Sequence, residues 1–523
     1  MNPVEDRSRG WLITLAVFVS GMTTLGVELT ASRLLGNVFG TSNIVWANII
    51  GLILVYLTAG YFIGGRWADR SPRPGTFYRL LAWGAFFAGV VPSVARPVLR
   101  LAASAVESLD AAVMVGSFIG VLILFSLPVT LLGCVSPFAI RLVLRQTDRA
   151  GTVSGRLYAL STLGSILGTF LPVLWLIPTI GTAKTFLALS LSLMAVALIG
   201  LGFSDRRAAL RYALLPLVLI GLSILSLAGP IKASAGQIYE KESAYNYIQV
   251  IERDGIRYLL LNEGQGIHSV YQRGADATLG TWDYFLSAPY FNPPPLAESD
   301  AVRLGIVGLA AGTIAKQFTQ VYGPVPIDGW EIGPEIVSVG RRLFDMNEPN
   351  LNVVVADGRW GLEHSQWKYS VIAVDAYRLP YIPWHLTTRE FFLEVRDHLV
   401  DRGVLAINIG RTPDDRRLIE AFVGTMGTVF PSIYVVDVPN TFNTLVYATV
   451  GPTRATNLAD NLQALAQSEA HPLLLDAIAR TIINLQPTPA SEVVFTDDRA
   501  PIEQMTNAVA IRFILGGDLN SLR

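Results

Sequence analysis

The sequence predicts a multi-pass α-helical membrane domain followed by an α/β portion, in which a small β-domain precedes a Rossmann-like, doubly wound sheet. Two observations carry this. The first half holds seven apolar stretches, and the 523-residue chain has a mean hydropathy of +0.44 with only 15% charged residues. The second half holds a strand-like run, Val302–Val307, then the small-residue turn Gly308-Leu-Ala-Ala-Gly312, a helical stretch to Val321, and another apolar run ending at Glu331.

A bilayer crossing needs about 20 apolar residues. The stretches are roughly Trp11–Leu35, Val45–Gly65, Tyr78–Leu99, Val113–Leu132, Leu157–Ile180, Thr185–Phe203 and Tyr212–Leu227. The first run is too long for a cleavable signal peptide, and further spans follow it. Small residues recur at helical spacing in Gly60-x-x-x-Gly64 and Gly164-x-x-x-Gly168, which suits close helix packing. Glu28 and Arg33 fall in or near the first span, where a charge is paired, functional or snorkels to the interface. The loop Gly64–Arg70 resembles a short basic loop of major-facilitator transporters. Arginines before the first span and after the second, fourth and sixth assign those loops to the cytoplasm. With seven crossings the second half would then face outside, unless the proline-interrupted Phe118–Leu144 is re-entrant or one span is absent.

Composition shifts near Gly229-Pro-Ile-Lys232. The expected organisation is a membrane domain over 1–235, a small β-domain over 236–299, a nucleoside-binding domain over 300–451 and a helical tail over 452–523. Tyr245–Val250 and Ile256–Leu261 alternate as strands do, with Arg253-Asp254-Gly255 as the hairpin turn. A net charge of −1 provides no field for nucleic acid. Cys134 is the only cysteine and the five histidines lack ligand spacing, so neither a disulfide framework nor a metal site is expected.

In the doubly wound portion, small residues at Gly308 and Gly312 permit close backbone approach to a ligand. Glu331 lies nineteen residues after Gly312, near the spacing of about 20 for an acid that accepts ribose hydroxyls. The next two runs end at Asp357, followed by Gly358, and at Asp375. Three carboxylates therefore line one sheet edge, where ligands of such folds bind. An ordinary βα turn and helix-capping or turn aspartates are the plainer readings of the same residues.

The order Gly308–Gly312, Glu331, Asp357-Gly358, Val374-Asp375 is similar to the spermidine synthase (polyamine aminopropyltransferase) family over roughly residues 240 to 450. The tail string Phe495-Thr-Asp497-Asp498-Arg-Ala-Pro501 resembles membrane-fused homologues. The resemblance implies a methyltransferase-type sheet behind a small β-domain. It also implies decarboxylated S-adenosylmethionine as co-substrate with no tightly bound cofactor, an amine acceptor, and self-association into an oligomer. Asn246, Gly308, Gly312, Glu331, Asp357 and Gly358 would then bind the nucleoside, and Asp375 would take a proton from the attacking amine. Trp282 and Asp283 stand where the family's acidic amine grip ends, while Ala277 and Thr278 replace its leading acids. After Asp375 the family's second loop aspartate is missing; Tyr377, Tyr381, Trp384 and His385 stand there, as a wall for a cation or as packing. Asp497 and Asp498 reach the active site or, as the favoured reading, cap a terminal helix.

The expected function is aminopropyl transfer with release of methylthioadenosine. The alternatives are an S-adenosylmethionine-dependent methyltransferase and a non-catalytic transporter or sensor that binds a nucleoside or polyamine. The charge topology points outside, but adenosyl co-substrates are cytosolic, so a cytoplasmic catalytic half is the adopted expectation.

Overall fold

A computed structural model describes residues 3–39, 43–104, 111–144, 150–227, 234–243, 245–262, 266–274, 277–278, 280, 281–296, 303–377, 382–412 and 415–506. Gly229 to Lys232, Val302 and Tyr381, each named above, lie outside them. The chain divides into two compact units. One is Met1–Ser234 with Lys241–Tyr247, and the other is Ala235–Glu240 with Ile248–Arg523.

The first unit is helical. Its elements are α1 (Pro3–Phe39), α2 (Asn43–Arg70), α3 (Pro74–Ser104), α4 (Ala111–Gly133), α5 (Val135–Val143) and α6 (Ala150–Leu171). A π-turn, Pro172–Leu176, leads to α7 (Ile177–Ile180), and then come α8 (Thr182–Ser204), α9 (Arg206–Tyr212) and α10 (Leu214–Leu227). Among the described residues, seven helical segments are long and apolar enough to cross a membrane. Cys134 joins α4 to α5 with helical backbone angles, so Gly116–Val143 runs on as one segment long and apolar enough to cross a membrane. Leu54, Phe62, Ile123, Phe170, Leu174 and Leu225 point outward, as they would toward lipid.

Both small-residue pairs sit at helix crossings. A Cβ on Gly164 would lie 2.0 Å from the Phe18 carbonyl oxygen, and one on Gly168 2.1 Å from that of Met22, so α6 rests on the backbone of α1. A Cβ on Gly60 would lie 2.4 Å from the Thr130 carbonyl oxygen, where α2 meets α4. Arg33 donates to the carbonyls of Ser243 and Tyr245, the latter at 3.2 Å. Glu242 accepts from the Thr182 backbone N–H at 2.7 Å and the Thr182 hydroxyl at 2.8 Å, satisfying donors that the start of α8 leaves open. The segment Lys241–Tyr247 is thereby tied to the helices.

The second unit contains a small sheet, ordered β1 (Gln237–Glu242), β2 (Tyr247–Arg253), β3 (Ile256–Leu261), β4 (Ile267–Gln272). Asp254 and Gly255 turn the β2–β3 hairpin with φ of +53° and +76°, as a tight two-residue turn requires. After a 3₁₀ stretch, Thr281–Phe291, the chain alternates β5 (Leu304–Val307), α11 (Thr313–Tyr322), β6 (Ile327–Glu331), α12 (Pro334–Leu343), β7 (Leu351–Val355), α13 (Gly358–Glu363), β8 (Tyr369–Val374), α14 (Arg389–Asp397) and β9 (Leu399–Gly410). These five strands pair in parallel in the order β7-β6-β5-β8-β9. Then come α15 (Arg417–Gly427), β10 (Ser432–Asp437), β11 (Asn443–Thr449), α16 (Thr456–Leu465), α17 (Pro472–Ile483) and β12 (Leu485–Gln486), with β11, β10 and β12 extending the sheet antiparallel beyond β9. The order reverses between β5 and β8, which opens a crevice at their carboxyl ends. Apolar cores cover both faces, one built around Phe318, Tyr447 and Phe291, the other around Phe391, Phe422 and Ile407.

The tail carries α16 and α17 and packs into the second unit. β12 joins the main sheet, and Asn457 and Asn461 donate to the carbonyls of Phe291, Tyr290 and Asn292 at 2.8, 3.0 and 2.9 Å. These amides satisfy backbone acceptors that a buried 3₁₀ stretch leaves open. Replacing Gly168 with valine would drive a branched side chain into the α1 backbone. The expected outcome is a drop of several degrees in the melting temperature of the detergent-solubilised protein, while Gly151→Val, which meets open space, leaves it unchanged.

Candidate active site

The site assembles at the carboxyl edge of the parallel strands. β5 ends at Val307, and Gly308 follows with φ of +89°; a Cβ there would lie 2.6 Å from the Asp375 carbonyl oxygen, so only glycine lets the turn lie against the end of β8. Gly312 opens α11 with φ of +86°, and a Cβ on it would meet the Met346 side chain at 2.5 Å. The small sheet is bolted to this turn. Ser269 Oγ accepts from the Ala311 N–H at 2.9 Å, and Thr313 Oγ1 donates to the Val270 carbonyl at 3.1 Å.

Glu331 ends β6 and is buried. Its Oε2 accepts from the Ala310 N–H and its Oε1 from the Gly333 N–H, both at 2.9 Å. Burial pushes its carboxyl above the usual range, and the backbone donors partly offset this. Asp357 follows β7 and caps α13 through Oδ1, which accepts from the N–H groups of Arg359 at 3.0 Å and Trp360 at 3.1 Å. Its Oδ2 lies 3.0 Å from His385 Nε2, and that hydrogen bond is the main cause holding its carboxyl below the usual range. Gly358 is small for packing, since a Cβ on it would lie 2.5 Å from Val307 Cγ1.

Asp375 follows β8 at the switch point. Its Oδ2 accepts from the Trp282 indole N–H at 3.0 Å and its Oδ1 from Asn408 Nδ2 at 2.9 Å. Burial raises its carboxyl above the usual range, against the two donors. It faces a cleft of about 680 Å³, which Trp282, Tyr377 and Asn408 also line. Burial, and then the charge of Asp375, push the Tyr377 hydroxyl well up, so it stays protonated.

Several expectations need correction. Asp283 does not reach the cleft. It is fully buried and accepts from Arg480 at 2.9 Å, Gln317 at 2.5 Å, the Thr278 N–H at 3.0 Å and the Thr278 hydroxyl at 2.6 Å. A buried carboxylate is held by the cations and donors that surround it, and here they take up both of its oxygens, while Thr278 and Gln317 stand between it and the cleft lining. Trp282 is at the site, but its polar atom is spent on Asp375. Asn246 lies in the segment that belongs to the helical unit, where its N–H donates to Ser243 Oγ at 3.0 Å. His385 pairs with Asp357 instead of walling a cation. Asp497 neither caps a terminal helix nor lines the cleft; it bridges Arg359 at 2.8 Å and Thr388 at 2.7 Å. Asn408 was missed, because it sits within a strand that reads as scaffold; a lone amide in the run Leu-Ala-Ile-Asn-Ile was the signal.

No family model matches the chain. Over 280 residues it is 32% identical to a probable polyamine aminopropyl transferase of Bifidobacterium longum, an alignment covering 51% of this chain and 61% of that protein. Over 243 residues it is 30% identical to the polyamine aminopropyltransferase of Vibrio vulnificus, covering 43% of this chain and 75% of that one. The chain belongs to the polyamine aminopropyltransferase family. It spans about three fifths to three quarters of these relatives, and the alignments cover about half of it. Among solved structures, a probable spermidine synthase of Corynebacterium glutamicum superposes with a TM-score of 0.38 at 20% identity, covering 46% of this chain and 89% of that one. The spermidine synthase of Thermotoga maritima gives 0.38 at 15% identity, covering 47% and 83%.

In this aminopropyltransferase-family chain, Asp283 is expected to act in stability. Asp283→Ala takes the acceptor from Gln317, Thr278 and Arg480 and should cost about 1–3 kcal/mol in chemical denaturation. Asp476 also pairs with Arg480, at 2.7 Å, but is 53% exposed, and Asp476→Ala should cost under about 1 kcal/mol.

Proposed function

We propose that the protein transfers the aminopropyl group of decarboxylated S-adenosylmethionine to an amine and releases methylthioadenosine. The observation that carries this is Asp375, raised in pKa, fixed by two donors and facing the cleft at the point where the strand order reverses. An amine is protonated at neutral pH and becomes a nucleophile only on losing a proton. Asp375 takes that proton. The free nitrogen pair then attacks the propyl carbon bonded to the sulfonium, a C–N bond forms, the C–S bond breaks, and its electron pair leaves with sulfur as a neutral thioether. A carboxylate with a raised pKa suits this work, because it holds the proton better than an ordinary aspartate.

Glu331 receives the ribose hydroxyls, with its oxygens already oriented by the N–H groups of Ala310 and Gly333. Gly308 and Gly312 keep the turn narrow beside the nucleoside, and Asp357 and Gly358 close its base end. Trp282 and Asn408 act as positioning residues for Asp375. A binding protein without chemistry has no need for a proton acceptor held in this way.

The helical unit is proposed to anchor the enzyme in a membrane. Arginine-bearing loops mark one face and seven crossings by themselves would lead the chain out on the other, but the co-substrate of the proposed reaction is cytosolic, which supports a catalytic unit in the cytoplasm. Cys134 is buried, so a cysteine at the exposed Glu492 offers an accessible thiol. Labelling of Glu492→Cys by a membrane-impermeant maleimide only after lysis is the expected outcome, and labelling in intact cells would put the unit outside.

Asp375→Asn should lower methylthioadenosine release by about 10²- to 10⁴-fold with binding of methylthioadenosine retained. The base acts ionised, so kcat/KM should rise with pH through the raised pKa of Asp375. Trp282→Phe removes a donor that favours the carboxylate, raises that pKa further, and should move the acid limb of the profile to higher pH. Full activity in Asp375→Asn would remove the base assignment, and release of S-adenosylhomocysteine from ordinary S-adenosylmethionine would make the enzyme a methyltransferase.

A further inference from the structure

A second recess, of about 330 Å³, lies in the helical unit where the starts of α1 and α3 meet the end of α8. These helix ends adjoin the arginine-bearing loops that mark one face. One turn along α3 from Arg79, the Trp83 indole N–H donates to the Tyr212 hydroxyl at 3.1 Å, and Trp83 is partly exposed. Tryptophan and tyrosine gather at the headgroup level of a bilayer. The recess therefore lies at the height of lipid phosphates.

Its lining suits an anion. Arg73 and Arg79 stand at the rim. Arg79 Nη2 donates to Asp205 Oδ2 at 2.5 Å, which uses one of the five N–H groups a guanidinium offers. Arg73 is exposed and enters no ion pair among the described residues. Pro74, which opens α3, has no N–H, and the Thr76 and Phe77 N–H groups donate to the Arg73 carbonyl at 3.0 and 3.2 Å. Gly75, which lines the recess, carries the other N–H of this first turn, where a helix favours negative charge. Tyr78 is the innermost polar group. It is 3% exposed, and its hydroxyl has no hydrogen-bond partner among the described residues. Its ring lies on Gly200, where a Cβ would come within 2.4 Å of the carbon that bears the hydroxyl. Gly200 also lines the recess, so the hydroxyl end of the ring is at its wall. Leu12 and Ile13 add buried apolar walls, and Phe203 an exposed one.

We propose that this recess binds the headgroup phosphate of an anionic phospholipid. Arg73 and Arg79 meet the phosphate oxygens, Gly75 and Tyr78 donate to them, and the acyl chains run past Phe203. Basic recesses between crossing helices hold such headgroups. A choline headgroup would bring a cation beside two guanidiniums, so the site discriminates against it. The proposal rests on the membrane reading of the helical unit.

The test mixes the full chain, purified in detergent, with equal amounts of phosphatidylglycerol and phosphatidylcholine of the same acyl chains, and counts bound lipid by native mass spectrometry. The expected result is at least about fivefold more bound phosphatidylglycerol. Arg73→Gln should lower that ratio about fivefold and Tyr78→Phe about threefold. Arg156→Gln removes an exposed arginine that does not line the recess and should leave the ratio unchanged. Equal binding of the two lipids, or a preference that neither recess variant lowers, overturns the proposal. Displacement of the lipid by excess inorganic phosphate would mark a site for a soluble anion and overturns the lipid assignment. These results leave the membrane reading standing. Recovery of the full chain in solution without detergent removes that reading and the proposal with it.

Discussion

Asp375 is held by two neutral donors that come from opposite directions along the chain. Trp282 lies 93 residues before it and Asn408 33 residues after it. Each donor is itself fixed by larger structure. Asn408 belongs to β9, in register with Leu445 of β11, so its amide is set by the sheet. Trp282 belongs to a 3₁₀ stretch whose backbone is satisfied by the amides of α16 and whose Asp283 is neutralised by Arg480 of α17. The C-terminal helices thus act on the site through two intermediates. They hold the 3₁₀ stretch, the stretch holds the indole, and the indole holds the carboxylate. A site group positioned by packed elements loses less freedom on binding than one left on a loop.

The nucleoside end is built by a different device. The glycine turn after β5 must pass close to the end of β8, and it must also accept the small sheet on its outer side. Glycine at 308 answers the first need through its backbone angle and missing side chain. Ser269 and Thr313 answer the second by hydrogen bonds that cross between the two sheets. Glu331 is then left with both oxygens on backbone N–H groups. These donors favour the charged form and partly offset the upward pull of burial.

Around Asp357 the arrangement is more exposed and more ionic. His385 meets one oxygen while the helix start meets the other, and Arg359 ties together Glu394, Asp497 and the carbonyl of His385. Asp497 is 42% exposed at its side chain, so solvent screens part of this network. Its service is geometric: it fastens the loop that carries His385 to the strand edge through several weak contacts in place of one strong one.

The sequence by itself determined what depends on local periodicity. Long apolar runs marked the crossing helices, because a bilayer demands about 20 such residues in a row. Alternating runs marked the small sheet and short apolar runs the parallel strands, and the acids Glu331, Asp357 and Asp375 fell at their ends because an apolar strand gives way to polar residues where it leaves the core. What a polar side chain faces has no such signature. Asp283 looked like a substrate contact until Arg480, 197 residues away, was found to consume it, and Asn408 looked like strand filler until the sheet carried it beside Asp375. The tail read as helical, and only the fold shows β12 joining the main sheet. Tertiary structure alone decided these, since each depends on a partner distant in the chain, and hydrogen-bond distance is fixed by folding and not by spacing.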